Sequence, residues 1–202
     1  MALTAQTYGL IPAYHPTGQN RAREYDILNN NGTGYGTAIF FGDLVMLDSA
    51  GNGTVEIGDG SSNCLGVFAG CEYIDPTGRP VVTPNWTAST VVLAGSRIKC
   101  YVYDDPKTVF KVGVSANAAS YVQTAVGDQV DIANNGTGST LTGHSAASIT
   151  AAPVGNGNGP AQVRIVGFVN GEIYNATTNP FPEVFVEIVQ HQFNSGAGQA
   201  AV

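Results

Sequence analysis

Few residues in this 202-residue chain have the type and spacing that chemistry requires. Gly143-His144-Ser145-Ala146-Ala147 places a serine two positions after a glycine. This partly matches the G-x-S-x-G turn that presents a nucleophile between a strand and a helix. The second glycine is missing and the flanks are low in complexity, so the segment reads as a loop. Asp104 and Asp105 are adjacent carboxylates. Neighbours on an extended chain point to opposite faces, so they do not form an acid–base pair, and a turn before Pro106 accounts for them. Asp43, Asp48 and Asp59 lie in expected glycine-rich turns. The D-x-D-x-D-G spacing of a calcium loop is missing, although oxygen-rich loops leave weak calcium binding open. Cys64, Cys71 and Cys100 include no C-x-x-C pair and have no histidine near them in sequence. They read as buried thiols, not as zinc ligands or a disulfide framework. Gly155-Asn156-Gly157-Asn158-Gly159-Pro160 lacks the lysine and the following helix of a phosphate loop. Five Asn-x-Ser/Thr sequons read as turns, because no secretory signal precedes them. Trp86 is expected to cover one end of a β-core, with a sugar platform as the functional alternative. No cofactor and no catalytic constellation is expected.

The elements that position these residues are strands. Period-two alternation is clearest from Arg97 to Tyr103, where Ile98, Cys100 and Val102 face one way and Arg97, Lys99, Tyr101 and Tyr103 the other. Phe110, Val112 and Val114 share a face, as do Val184, Val186 and Ile188, with Glu183, Glu187 and His191 opposite. Further strands are expected around 37–47, 54–57, 64–74, 81–83, 90–94, 129–132 and 162–169. Only Ser115 to Val122 resembles a helix, and it is short. The fold class is therefore all-β, a β-barrel or β-sandwich with at most one short helix. Residues 1–36, rich in Pro, Gly and Asn, read as an extended N-terminal arm. The β-domain covers 37–193 and includes a Gly/Ala-rich loop at 134–160, in which 139–141 and 147–150 are candidate short strands. Residues 194–202 read as a frayed tail.

Composition narrows the function. Charged residues are 11% of the chain, against about 25% in an ordinary soluble domain. The net charge is −7, and the few basic residues are scattered, which argues against nucleic-acid binding. No apolar run reaches the length of a membrane helix, and Met1 to Asn20 lacks the pattern of a secretory signal.

The segments also come in a telling order. Tyr8-Gly9-Leu10-Ile11-Pro12-Ala13-Tyr14-His15-Pro16-Thr17-Gly18 precedes Arg23-Glu24-Tyr25-Asp26-Ile27. Phe41-Gly42-Asp43-Leu44-Val45, Leu65-Gly66-Val67-Phe68-Ala69-Gly70 and Val102-Tyr103-Asp104-Asp105-Pro106 with Phe110-Lys111-Val112 follow. Val163 to Val169 and Val184 to Gln192 close the series. This order resembles tailed-bacteriophage capsid decoration (cement) proteins over most of 8–192. Leu10 replaces the aromatic residue of the family's arm motif, and the 134–160 stretch is unusually rich in Gly and Ala.

The resemblance implies a non-enzymatic virion protein, made in the host cytoplasm, that sits on the outer surface of an HK97-like capsid. Its partners would be the major capsid protein and itself, as a homotrimer, with no nucleic acid and no membrane. Its arm would contact the capsid through Tyr8, Ile11, Tyr14, His15, Arg21, Arg23 and Tyr25, since aromatic and Arg side chains are common interface anchors. The alternatives are a tail or fibre component and a carbohydrate-binding β-module built on Trp86.

Overall fold

A computed structural model describes residues 5, 7–58, 63–115, 119–153 and 161–193. The strands, in chain order, are β1 Ile11–Tyr14, β2 Arg23–Ile27, β3 Asn29–Asn30, β4 Thr33–Gly34, β5 Leu44–Leu47, β6 Val55–Ile57, β7 Gly66–Ile74 and β8 Pro80–Thr83. They continue with β9 Ile98–Tyr103, β10 Val109–Gly113, β11 Gln129–Val130, β12 Ile132–Ala133, β13 Ser148–Ile149, β14 Val163–Phe168 and β15 Glu183–Ile188. The only helical pieces among the described residues are two 3₁₀ turns, at Gln123–Ala125 and Val169–Gly171. The protein is all-β.

One sheet runs in the order β5-β6-β2-β9-β7-β8, and β5 also pairs with β7. That extra pairing closes five of the strands into a small barrel and leaves β8 attached outside β7. Closure removes the exposed edges that an open sheet would carry. Side chains alternate as the pleat requires. Ile98, Cys100 and Val102 of β9 point inward, together with Ile27, Val45, Val55, Phe68 and Cys71. Trp86 plugs this interior. It is fully buried and its Nε1–H donates to the Tyr35 carbonyl (2.9 Å). Gly34 permits that plug, since a Cβ there would lie 2.3 Å from Trp86 Cζ2.

The second sheet runs β1-β10-β15-β14-β11. Its inner face carries Phe110, Val112, Val184, Val186, Ile188, Val163 and Ile165. This face packs on the outside of the barrel wall, where Leu44 and Val67 pair across β5 and β7 and join the second core. Val45 and Phe68, the next residues along, join the first core. These strands are therefore covered on both sides, which is why they read as continuous apolar runs. The structure combines the two expected architectures: a barrel with a sheet laid against it.

Within the expected arm 1–36, the segments Ile11–Tyr14 and Arg23–Ile27 are built into the sheets. Arg23–Ile27 lies inside the barrel between β6 and β9, and Ile11–Tyr14 pairs antiparallel with β10. The physical reason is that the segment's few apolar residues are used individually: Leu10 is fully buried in the second core and Ile27 nearly so in the first. Other expectations also change. Residues 90–94 form no strand and make a single bridge, Thr33↔Val91. No helix forms at the described positions of 115–122; a 3₁₀ turn follows at Gln123. Within 134–153 the chain forms β13 but no strand at 139–141. The Gly-rich run 155–160 and the tail 194–202 lie outside the described residues.

Candidate functional site

The chemistry-bearing residues gather at two places. The first is Asp43, fully buried at the start of β5. Its Oδ1 accepts the Ser145 hydroxyl (2.5 Å) and the Gly136 N–H (3.1 Å), and its Oδ2 accepts the Phe40 N–H (2.8 Å). Burial raises its pKa to about 6, against the pull of those three donors. Asn135, next to this carboxylate, makes a second set of bonds. Its Oδ1 accepts the Leu44 N–H, and its Nδ2 donates to the Leu44 and Gly58 carbonyls, each at 2.9 Å. Together Asp43 and Asn135 fasten the 134–147 excursion to the barrel. Gly9 and Gly42 allow the chain to pass here, both with positive φ, and a Cβ on Gly42 would lie 3.0 Å from Gly9 Cα.

This geometry decides what Ser145 does. The side chain is buried, its proton goes to Asp43, and its Oγ accepts the Ala147 N–H (2.8 Å). The neighbouring His144 turns its ring edge-on to Phe41 instead (5.2 Å between centroids). A serine shut away from solvent, with a buried carboxylate and no histidine as its hydrogen-bond partner, lacks the exposed Ser–His arrangement of an activated nucleophile.

The second place is the corner between β9 and β10. Asp104 is buried; its Oδ2 accepts the Tyr25 hydroxyl (2.6 Å) and lies 3.4 Å from Arg23 Nη1. Burial, then Asp104, raises the Tyr25 phenol above its usual range. Asp105 faces outward, 3.2 Å from His15 Nε2. His15 Nδ1 accepts the Thr17 N–H (3.1 Å), which puts the ring proton on Nε2, toward Asp105. That approach satisfies the distance of an ion pair but not hydrogen-bond geometry.

The seven expected interface residues divide accordingly. His15, Arg23 and Tyr25 hold this acidic corner. Tyr8, Ile11 and Tyr14 lie along the second sheet. The Tyr8 hydroxyl donates to Glu183, and Lys111 Nζ lies 5.1 Å from the Tyr8 ring centroid. Ile11 pairs with Lys111 in the ladder, and Tyr14 meets the Phe185 ring edge-on. Tyr14 remains 49% exposed, the Arg23 side chain 64% exposed, and Arg21 is exposed. Most of the set therefore has partners within the chain.

The barrel's outer face carries a charged ladder. Arg97 reaches Asp26 and Glu24, and Lys99 reaches Glu24 and Glu72 (2.9–3.5 Å). Beside it a groove of about 400 Å³ runs past Tyr73, Ile74, Pro80 and Val82. Val82 on the outermost strand is 77% exposed. The thiols are inert by position: all three are buried, and burial pushes Cys71 up to about 12 and Cys100 higher still. Among the described residues no group of three or more His, Cys, Asp or Glu is arranged to hold a metal ion.

Sequence reasoning missed the Asp43–Asn135 fastening and the burial of His191, which is fully covered instead of lying outward with Glu183 and Glu187. An aspartate inside the apolar run Phe40-Phe41-Gly42-Asp43-Leu44-Val45 was the available signal for the first. In comparisons with known proteins, no family model matches the chain, and no curated protein or solved structure matches it. Fold and site together define a small all-β protein in which Asp43, Ser145, Asp104 and Tyr25 are engaged in internal hydrogen bonds.

Proposed function

We propose that the protein is a structural virion component that binds the outer surface of an HK97-like capsid and cements neighbouring major capsid subunits. The observation that carries this reading is the ordered series of segments from Tyr8 to Gln192 that resembles capsid decoration proteins. The geometry supports binding over catalysis. Ser145, Asp104 and the cysteines serve internal contacts, while the surface offers an apolar strand edge at β8 and the exposed Tyr14, Arg21 and Arg23. Cementing needs no chemistry. Many copies, each a homotrimer bridging several subunits, make modest contacts cumulatively strong. Binding the expanded shell and not its separated parts stabilises that shell. The acidic net charge of −7 suits a position away from packaged nucleic acid.

Because β1 and β2 belong to the sheets, these two segments contact the capsid through their exposed side chains. The carbohydrate reading loses its platform with the burial of Trp86. The test is co-sedimentation of the purified protein with expanded capsids, with electron-microscopic labelling to separate head from tail. Saturable head binding that raises the heat resistance of the shell is expected, and it should weaken in Arg21→Glu, Tyr14→Ala or Val82→Asp. Absence from heads, or labelling confined to tails, overturns the proposal.

A further inference from the structure

The two cores meet along a seam between the chain just before β7 and the chain just after β15. Cys64 N–H donates to the Gln190 carbonyl (2.7 Å) and Gln192 N–H to the Cys64 carbonyl (2.9 Å). Leu47 N–H donates to Gln192 Oε1 (3.0 Å), which adds a tie to β5. His191 stands at the centre of this seam, fully buried and bridged to Cys64. Its Nδ1 accepts the Phe193 N–H (3.1 Å). The ring proton is therefore on Nε2, and Nε2 is buried with no hydrogen-bond partner. A buried, unsatisfied donor in a joint between two packed bodies is a costly arrangement that calls for an explanation.

A second proton on this ring would sit on Nδ1, directly opposite the Phe193 N–H. Two donors would then face each other around a buried cation, which is unfavourable on both counts. The groups around the ring do not rescue it. From the β9–β10 corner, Asp104 and Asp105 face His191 and favour its charge, but Asp104 already accepts Tyr25 and faces Arg23, and Asp105 faces His15. From the other side come the Cys64 strand and the Leu65 backbone. The Asp104 and Leu65 backbone groups favour the charged ring without completing a hydrogen bond to Nε2. The Phe193 ring lies 5.7 Å away on its own segment. Burial outweighs these contributions and holds the imidazole below its ordinary 6.5.

We infer that His191 makes this seam an acid-opened joint: neutral, it wedges the end of the second sheet against the barrel, and on protonation it leaves its pocket and frees 189–193 from 64–65. The sign follows from linkage. The closed joint binds the proton less well than the open one, so closure is fully favoured above pH 6.5 and weakens as pH falls, by up to about tenfold per pH unit. The inference does not depend on what the protein binds.

The test is hydrogen exchange, corrected for intrinsic rates, at pH 7.5 and 5.0. Protection of the Cys64 and Gln192 amides, which bond across the seam, should fall, by at most about thirtyfold, while the Leu65 amide, bonded to Val45 within the barrel, and amides of β9 keep theirs. In His191→Asn the amide oxygen replaces Nδ1 as acceptor and cannot titrate, so the seam should exchange alike at both pH values. A His15→Asn control should retain the wild-type pH response. An unchanged response in His191→Asn, or a loss of protection spread evenly over both sheets, overturns the inference. If His191→Asn does not fold, an NMR titration of the wild-type imidazole decides. A midpoint below 6.5 accompanied by selective loss of the Cys64 and Gln192 amide signals upholds the joint, and a midpoint at or above 6.5, or no selective loss, overturns it.

Discussion

Asp43 provides the sharpest test of how this fold is held. Its carboxylate is buried with three hydrogen-bond donors and no charged partner, and its pKa rises from 3.8 to about 6. The folded state therefore holds this proton more tightly than the unfolded chain. The corresponding stabilisation is fully present below pH 3.8 and is lost as pH rises through about 6. The displacement corresponds to about 3 kcal/mol. Asp43→Asn removes the titration. Its Oδ1 can still accept from Ser145 and Gly136, but its amide NH₂ faces the Phe40 N–H, a mismatch worth about 1–3 kcal/mol at any pH. The variant should thus be clearly weaker than the parent near pH 4.5 and should close most of the gap by pH 7.5. Urea unfolding at both pH values measures the difference. A gap that is constant across that range would show that the buried carboxylate does not titrate with the fold, and the reasoning would fail. His191 acts with the opposite sign, but it is common to both proteins and cancels in the comparison.

Two further outcomes are expected. Gly34→Ala places a methyl carbon 2.3 Å from the Trp86 ring, and the overpacking should lower stability by about 1–3 kcal/mol, with red-shifted tryptophan fluorescence if the ring is displaced. Unchanged melting and fluorescence would contradict the plug geometry. Cys64, Cys71 and Cys100 should resist a thiol reagent at pH 8 in the native protein and react fully in denaturant; rapid native labelling would place them elsewhere.

Much of the fold was legible in the chain itself. The alternation in β9, β10 and β15 named the core-facing residues correctly, because every second side chain of a pleated strand points into a core. The three cysteines and Trp86 were read as interior, and they are. The second strand was hidden. In Arg23-Glu24-Tyr25-Asp26-Ile27 only two residues are apolar, and the charges that make it look like an arm find distant partners: Glu24 and Asp26 meet Arg97 and Lys99, and Arg23 meets Asp104, more than 70 positions away. Ile11-Pro12-Ala13-Tyr14 was hidden because Pro12 weakens the strand signal, yet proline is tolerated on an edge strand, which is where β1 lies.

Sequence alone determined the class: short runs of period two, punctuated by Gly, Asn and Pro, have little option but to pair as β-sheet. Tertiary structure decided which polar residues matter. Asp43, Asn135, Asp104 and His191 look like ordinary turn or surface residues until the chain closes around them, because burial and the identity of distant partners arise only from packing. The same packing turned a presumed arm into the walls of two cores, since a strand's partner is chosen by the geometry of the whole sheet and not by the residues beside it.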